Sequence, residues 1–153
     1  MQRGDIYLHL KFEFKDSYPG KKYIILLNNP RPGEDFIFVK TTSQRENKPR
    51  KPGCTEELCL YFIPAKTTFF PEDTWVQLRE TYPMVDLDKD PLAKPKGALD
   101  PKITDLIVKC LLFGDSDEIP AMHRNTLNRS LKPTQPDAAS QKSLQMLQDR
   151  FKK

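Results

Sequence analysis

Five basic residues crowd the stretch from 40 to 51: Lys40, Arg45, Lys48, Arg50 and Lys51, with Glu46 alone opposing them. Such a run can meet the successive phosphates of a polyanion, each contact adding salt-dependent affinity; it equally suits a solvated hairpin loop. His9 and His123 carry the side chain best suited to proton transfer near neutral pH. His9 falls on the polar side of a strand pattern, where a solvated or hydrogen-bonded ring is expected, and His123 falls in a stretch that reads as linker. The carboxylates Asp115 and Asp117 stand where a helix ends and suit solubility. The sequence holds no Gly-rich phosphate loop, no GxSxG elbow and no HExxH pair.

Cys54, Cys59 and Cys110 are odd in number and do not make a disulfide framework. Cys54 and Cys59 could supply two zinc ligands. A structural site needs four, and His9, His123 and Cys110 are scattered along the chain, so ordinary reduced thiols are expected. Nothing in the pattern calls for a metal or a cofactor.

The elements that would position these groups follow from length and periodicity. The chain has 153 residues, 37% of them hydrophobic, enough for one domain with a core of its own and a short appendage. Residues 121–153 carry seven positive and two negative charges, whereas the first 120 carry 18 and 19. Positive charge on the body is therefore local, and bulk nucleic-acid binding by a uniformly basic surface is excluded. Acidic residues gather at Asp86, Asp88 and Asp90 and again at Asp115, Asp117 and Glu118. The longest apolar run, Tyr23 to Leu27, is far short of the ~18–20 residues of a membrane span. The N-terminus does not read as a signal peptide, and a cytoplasmic protein is expected.

Ile6, Leu8, Leu10, Phe12 and Phe14 alternate with Tyr7, His9, Lys11, Glu13 and Lys15, predicting a strand with one apolar face. Ser17 to Gly20 signals a turn. Further strands are predicted over Tyr23–Leu27, Phe36–Thr42, Leu58–Ile63, Thr74–Leu78 and Met84–Leu87, with a polar loop from Ser43 to Glu57. Short connections without helices predict a mainly β fold, an antiparallel sheet or small barrel. Asp100 as N-cap, Pro101 at the first helical position and an apolar stripe through Ile103, Leu106, Ile107, Cys110 and Leu111 predict one helix packed on it, ended by Gly114. Residues 121–139 read as linker. Leu144, Leu147 and Phe151 give Ser140–Phe151 the spacing of a short amphipathic helix, marginal in isolation. The expected domains are thus residues 1–120 and a basic tail, 121–153.

Several segments together resemble a known family. Arg3-Gly4-Asp5-Ile6-Tyr7 opens the first strand, Gly20 to Asn29 contains the second, and Phe36 to Gln44 carries the third, ending Thr41-Thr42-Ser43. Phe62-Ile63-Pro64-Ala65 and Phe70 to Leu78 follow, then Gly97-Ala98-Leu99 and the helix. In layout, over roughly residues 3–115, the chain resembles the PemK/MazF family of toxins from toxin–antitoxin systems, a single domain in scale.

The resemblance implies a small SH3-like barrel of the CcdB/PemK type, usually a homodimer, that cleaves single-stranded RNA without a metal and is held in check by an antitoxin. The reaction has a 2′-hydroxyl attack the adjacent phosphate, leaving a 2′,3′-cyclic phosphate. The protein must move two protons and stabilise a phosphorane. The family's Thr at the end of the third strand falls on Thr42, with Ser43 beside it. Its Arg at the head of the second strand falls on Lys22, and the neighbouring proline on Tyr23. Lysine is a point charge where arginine offers a planar fork. Lys22 can still stabilise a phosphorane, and if it were partly buried its pKa would fall and make it a better acid than arginine. It can also be an ordinary surface lysine of a non-cleaving relative.

Lys40, Gln44, Arg45, Lys48, Arg50 and Lys51 would flank the same groove, with an exposed Tyr23 or Tyr61 stacking a base. Trp75 is expected in the core or a dimer contact. The alternative is a binding module for RNA or a protein, the tail helix offering a helix-in-groove contact.

Overall fold

The computed structural model describes residues 1–12, 20–84, 87–114 and 116–131. The expected tail helix over Ser140–Phe151, the end of the first strand pattern at Phe14 and the turn at Ser17–Pro19 lie outside the described residues.

Among the described residues, seven strands form one sheet: β1 (Asp5–Phe12), β2 (Gly20–Leu26), β3 (Phe36–Thr42), β4 (Gly53–Thr55), β5 (Leu60–Ile63), β6 (Thr74–Met84) and β7 (Ala93–Ala98). Their order is β4-β5-β6-β3-β2-β1-β7, and every neighbouring pair is antiparallel. The described residues then continue through two helices, α1 (Pro101–Phe113) and α2 (Ala121–Leu131). The mainly β expectation holds at that level.

The sheet is buried on both faces. Ile6, Ile25, Leu27, Ile37, Val39, Val76 and Leu78 pack with Ile107, Val108 and Leu111 of α1. On the other side Tyr7, Phe12, Ile24, Leu26, Phe38, Tyr82 and Leu87 form a second core. The apolar run of β2 thus fills both sides, as a continuous apolar strand should. β1 departs from its one-faced pattern. Tyr7 is buried, its hydroxyl donating to Asp88 at 2.8 Å. The β1–β2 register shifts between His9 and Phe12, and Phe12 shares the core of Tyr7 rather than that of Ile6.

Of the predicted strand over Met84–Leu87, Val85 and Asp86 lie outside the described residues. Met84 ends the 11-residue β6, and Leu87 begins a 3-10 turn, Leu87–Lys89. Two strands were not anticipated, and both are sheet edges: β4, inside the basic loop, and β7, which contains Pro95 and Gly97. Proline is tolerated on an edge, where one side of the strand needs no ladder partner.

α1 starts and stops where the sequence indicates. Asp100 Oδ1 accepts from the Lys102 amide at 2.8 Å, Pro101 opens the helix and Gly114 follows its end. Gly4, at φ +94°, brings the N-terminus against this cap: a Cβ there would lie 3.0 Å from Thr104 Oγ1 and 3.1 Å from the Leu99 carbonyl. Any side chain would be driven into the start of α1.

Residues 121–131 are helix, not linker. The segment is polar because α2 is held by polar contacts as much as by Leu127. His123, 4% exposed, places Nδ1 2.7 Å from Thr81 Oγ1 and Nε2 3.1 Å from Asp35 Oδ2. Arg129 pairs with Glu34, and Arg124 donates to the carbonyls of Leu112 and Ser116.

The cysteines are not all reduced thiols. Cys54 and Cys110 form a disulfide, 56 positions apart, while Cys59 is free and buried. β4 lies against α1, which brings the two Cα atoms to 5.6 Å. Linear spacing could not show that approach.

Candidate functional site

Lys22 stands near the head of β2 and Thr42 ends β3. The ladder pairs Ile24 with Lys40, and continuing that register two residues sets Lys22 opposite Thr42. Thr41 Oγ1 donates to the Tyr23 carbonyl at 2.9 Å, which holds the strand ends together past the last ladder pair. Lys22 and Thr42 line one cleft of about 370 Å³. Leu8, Tyr23, Thr41 and Thr74 line it from the strands, Ser43 continues β3, and Phe70, Pro71 and Glu72 line it from the loop that precedes β6.

Burial, and then the positive charges of Lys40 and Lys48, hold the Lys22 ammonium below the ordinary lysine range. A lysine in that state gives up its proton more readily and gains most from a neighbouring anion. Thr42 is 7% exposed, and its Oγ1 accepts from the Gln44 amide at 3.2 Å, so its own proton remains to be donated. Ser43 and Gln44 are exposed. Glu72 adds a carboxylate to the cleft that the sequence reading did not single out. Its only signal was a position inside the Phe70–Leu78 stretch.

The basic residues divide. Lys48 is half-buried, with Nζ 3.4 Å from the Glu46 carbonyl, and its charge reaches Lys22. Arg45 is exposed and lies 3.7 Å from Asp73, beside the Glu72 wall. Lys40 does not line this cleft. Its ammonium lies over the Tyr82 ring at 5.8 Å, beside a smaller cleft with Gln77 and Arg79, and it acts on Lys22 through charge. Arg50 and Lys51 are exposed at the far end of the loop and are not part of the cleft lining.

Neither tyrosine is an open stacking platform. Tyr61 is 8% exposed, and burial pushes its phenol up. Tyr23 is half-buried, with its ring edge-on to Phe69 and Phe70 at 5.8 Å each. Trp75 is a core residue, stacked on Phe62.

The histidines are structural rather than solvated. His9 is buried, with Nε2 3.3 Å from Asp90 Oδ2 and Nδ1 accepting from the Lys11 amide at 3.3 Å. That tautomer occupies both ring nitrogens. His123 bridges Thr81 and Asp35 as described above. Of the acidic groups, Asp88 receives Tyr7 and the terminal amine, Asp90 receives His9, Asp117 is exposed, and Asp86 and Asp115 lie outside the described residues. Arg3, in the segment that opens the family resemblance, donates from Nε to the Leu27 carbonyl and lies 2.6 Å from Asp105. It ties β2 to α1.

Among the described residues no group of three or more His, Cys, Asp or Glu is placed to hold a metal ion, and no helix is long and apolar enough to cross a membrane. No family model matches the chain, and no curated protein matches it.

Proposed function

We propose that this protein is an endoribonuclease of the PemK/MazF toxin type, cutting single-stranded RNA with its own side chains. The observation that carries the reading is the meeting of Lys22 and Thr42 in one cleft, on the side of the sheet from which the basic loop departs. In this reading the scissile phosphate lies over Lys22, and the Thr42 and Ser43 hydroxyls donate to its oxygens. Glu72 takes the proton of the 2′-hydroxyl as O2′ bonds to phosphorus. The bond to O5′ breaks, and the Lys22 ammonium, made more acidic by burial and its cationic neighbours, supplies that oxygen with a proton. Arg45 and Lys48 hold flanking phosphates, with Lys40, Gln44, Arg50 and Lys51 contributing less directly.

The finer features of the resemblance belong to the same proposal: a sheet curled into an SH3-like, CcdB/PemK-type barrel, a homodimer, a cytoplasmic location and an antitoxin partner. A second reading, a non-cleaving module that binds RNA or protein through the same cleft, is favoured by the lysine in place of arginine and by the low exposure of Thr42.

The test is incubation of the purified chain with single-stranded RNA in EDTA and analysis of the ends. Cleavage to 2′,3′-cyclic phosphates is expected. Lys22→Ala and Glu72→Gln should each slow it by about a hundredfold or more. Glu72→Gln should bind RNA at least as tightly as the parent, since it removes a negative charge. RNA left intact by the unaltered protein but still bound would select the second reading. RNA neither cut nor bound would end both RNA readings.

A further inference from the structure

The disulfide is placed to do more than stabilise. Cys54 is exposed, whereas Cys110 is buried on the inner side of α1. Cys54 lies in β4, which is three residues long, sits at the sheet edge and, among the described residues, pairs only with β5. The basic loop runs from Thr42 directly into this strand. Its described attachments to the rest of the fold are few, Trp75 Nε1 to the Pro49 carbonyl at 2.7 Å and the long Arg45–Asp73 pair; the bonds from the Gln44 amide to Thr42 Oγ1, from the Lys48 amide to the Arg45 carbonyl and from Lys48 Nζ to the Glu46 carbonyl are local to the segment. The bridge to α1 is therefore the covalent anchor at the loop's far end.

We infer that Cys54–Cys110 is a redox modification site: a thiol-reducible clasp that sets how firmly residues 43–55 are held beside the Lys22–Thr42 cleft. Exposed disulfides are the ones that exchange readily with external thiols. A thiolate of a dithiol attacks the accessible Cys54 sulfur. The S–S bond breaks, its electron pair leaves on the Cys110 sulfur, and that sulfur takes a proton. The second thiol of the reductant then closes on the mixed disulfide, releasing Cys54 as a thiol and the reductant as its own disulfide. The new Cys110 thiol has an acceptor waiting, the Leu60 carbonyl 3.5 Å from its sulfur. In a reducing compartment the clasp opens; in an oxidising one it closes. This inference stands on the loop's attachments and does not require the nuclease reading.

The experiment uses the full chain, oxidised with glutathione disulfide or reduced with dithiothreitol. Thiol titration of the denatured protein should find one thiol in the oxidised form, Cys59, and three in the reduced form. Trypsin cuts after Arg45 and Arg50 report loop release, since Lys48 and Lys51 precede prolines and resist the protease; reduction should speed both cuts about tenfold while sites elsewhere in the fold stay protected. Cys54→Ser, on the exposed side, should cut at the fast rate whatever the redox state. Three thiols after oxidation would overturn the inference. So would equal loop cutting in both forms, slow cutting of Cys54→Ser, or reduction that exposes the whole chain to trypsin at once.

Discussion

The indole Nε1 of Trp75 donates to the carbonyl of Pro49 at 2.7 Å, so a fully buried residue of β6 holds the middle of the basic loop. Trp75 also stands opposite Thr42 in the β3–β6 ladder and stacks on Phe62 of β5 at 4.9 Å. One side chain thereby joins the core, the end of β3 and the loop that leaves it.

Trp75→Phe keeps an aromatic ring at this position but removes the donor and part of the volume. The Pro49 carbonyl loses its partner, and a cavity opens beside Phe62. A loss of about 1–3 kcal/mol is expected, read as a lower urea midpoint with an unchanged slope. The oxidised variant should also show faster tryptic cutting at Arg45 and Arg50 than the oxidised parent. Unchanged loop cutting would mean that the hydrogen bond does not restrain the loop.

Lys22 gives a prediction with a definite sign. Its folded-state pKa lies below the ordinary value of 10.5, chiefly through burial and then through Lys40 and Lys48. Below the folded-state pKa the charged form is disfavoured by folding, so the ammonium costs stability. As pH rises from that value towards 10.5, the unfolded chain binds more protons than the folded one, and stability from this group increases. Lys22→Gln should therefore be as stable as the parent or more so at neutral pH, with the difference fading towards pH 10.5. Urea melts across that interval measure it. A variant less stable at pH 7 and equally so at pH 10.5 would show that Lys22 is held by packing rather than at an electrostatic cost.

What could be read in advance follows from where the information sits. The limits of α1 are local chemistry: Asp100 and Pro101 open it and Gly114 closes it, and each acts on its own few residues. The strands that Lys22 opens and Thr42 ends were legible from their own patterns, whereas the choice of these two residues came from the family resemblance alone. β7 was hidden because Ala93 to Ala98 has neither alternation nor β-rich composition; its place comes from pairing with β1 along an edge. α2 was hidden because its anchors are polar. His123 is satisfied by Thr81 and Asp35, 42 and 88 positions away, and no periodicity reports such partners. The disulfide was hidden for the same reason. The carboxylate of Glu72 enters the cleft from a loop, and only the folded chain shows which wall that loop supplies.

The polar anchors of α2 predict how it can be detached. His123→Ala would leave the buried Thr81 hydroxyl without its ring partner and free Asp35, at a cost of about 1–3 kcal/mol. Replacement by Asn, which can keep one of the two hydrogen bonds, should recover part of that loss. Glu34 adds a pH dependence. The hydrogen bond from Arg129, and then that from the Arg31 amide, hold its carboxyl below the usual 4.5. Its contribution is complete above that value and is lost as pH falls through the lower folded-state pKa. Because the carboxylate is solvated, the effect is small and weakens with salt. The protection of the α2 amides, taken relative to their intrinsic exchange rates at each pH, should therefore fall below about pH 4.5 in the parent at low salt, and much less in Glu34→Gln. An equal loss of protection in both proteins would place the acid-sensitive contact elsewhere, and α2 would then be held by Leu127 and His123 without help from the Arg129–Glu34 pair.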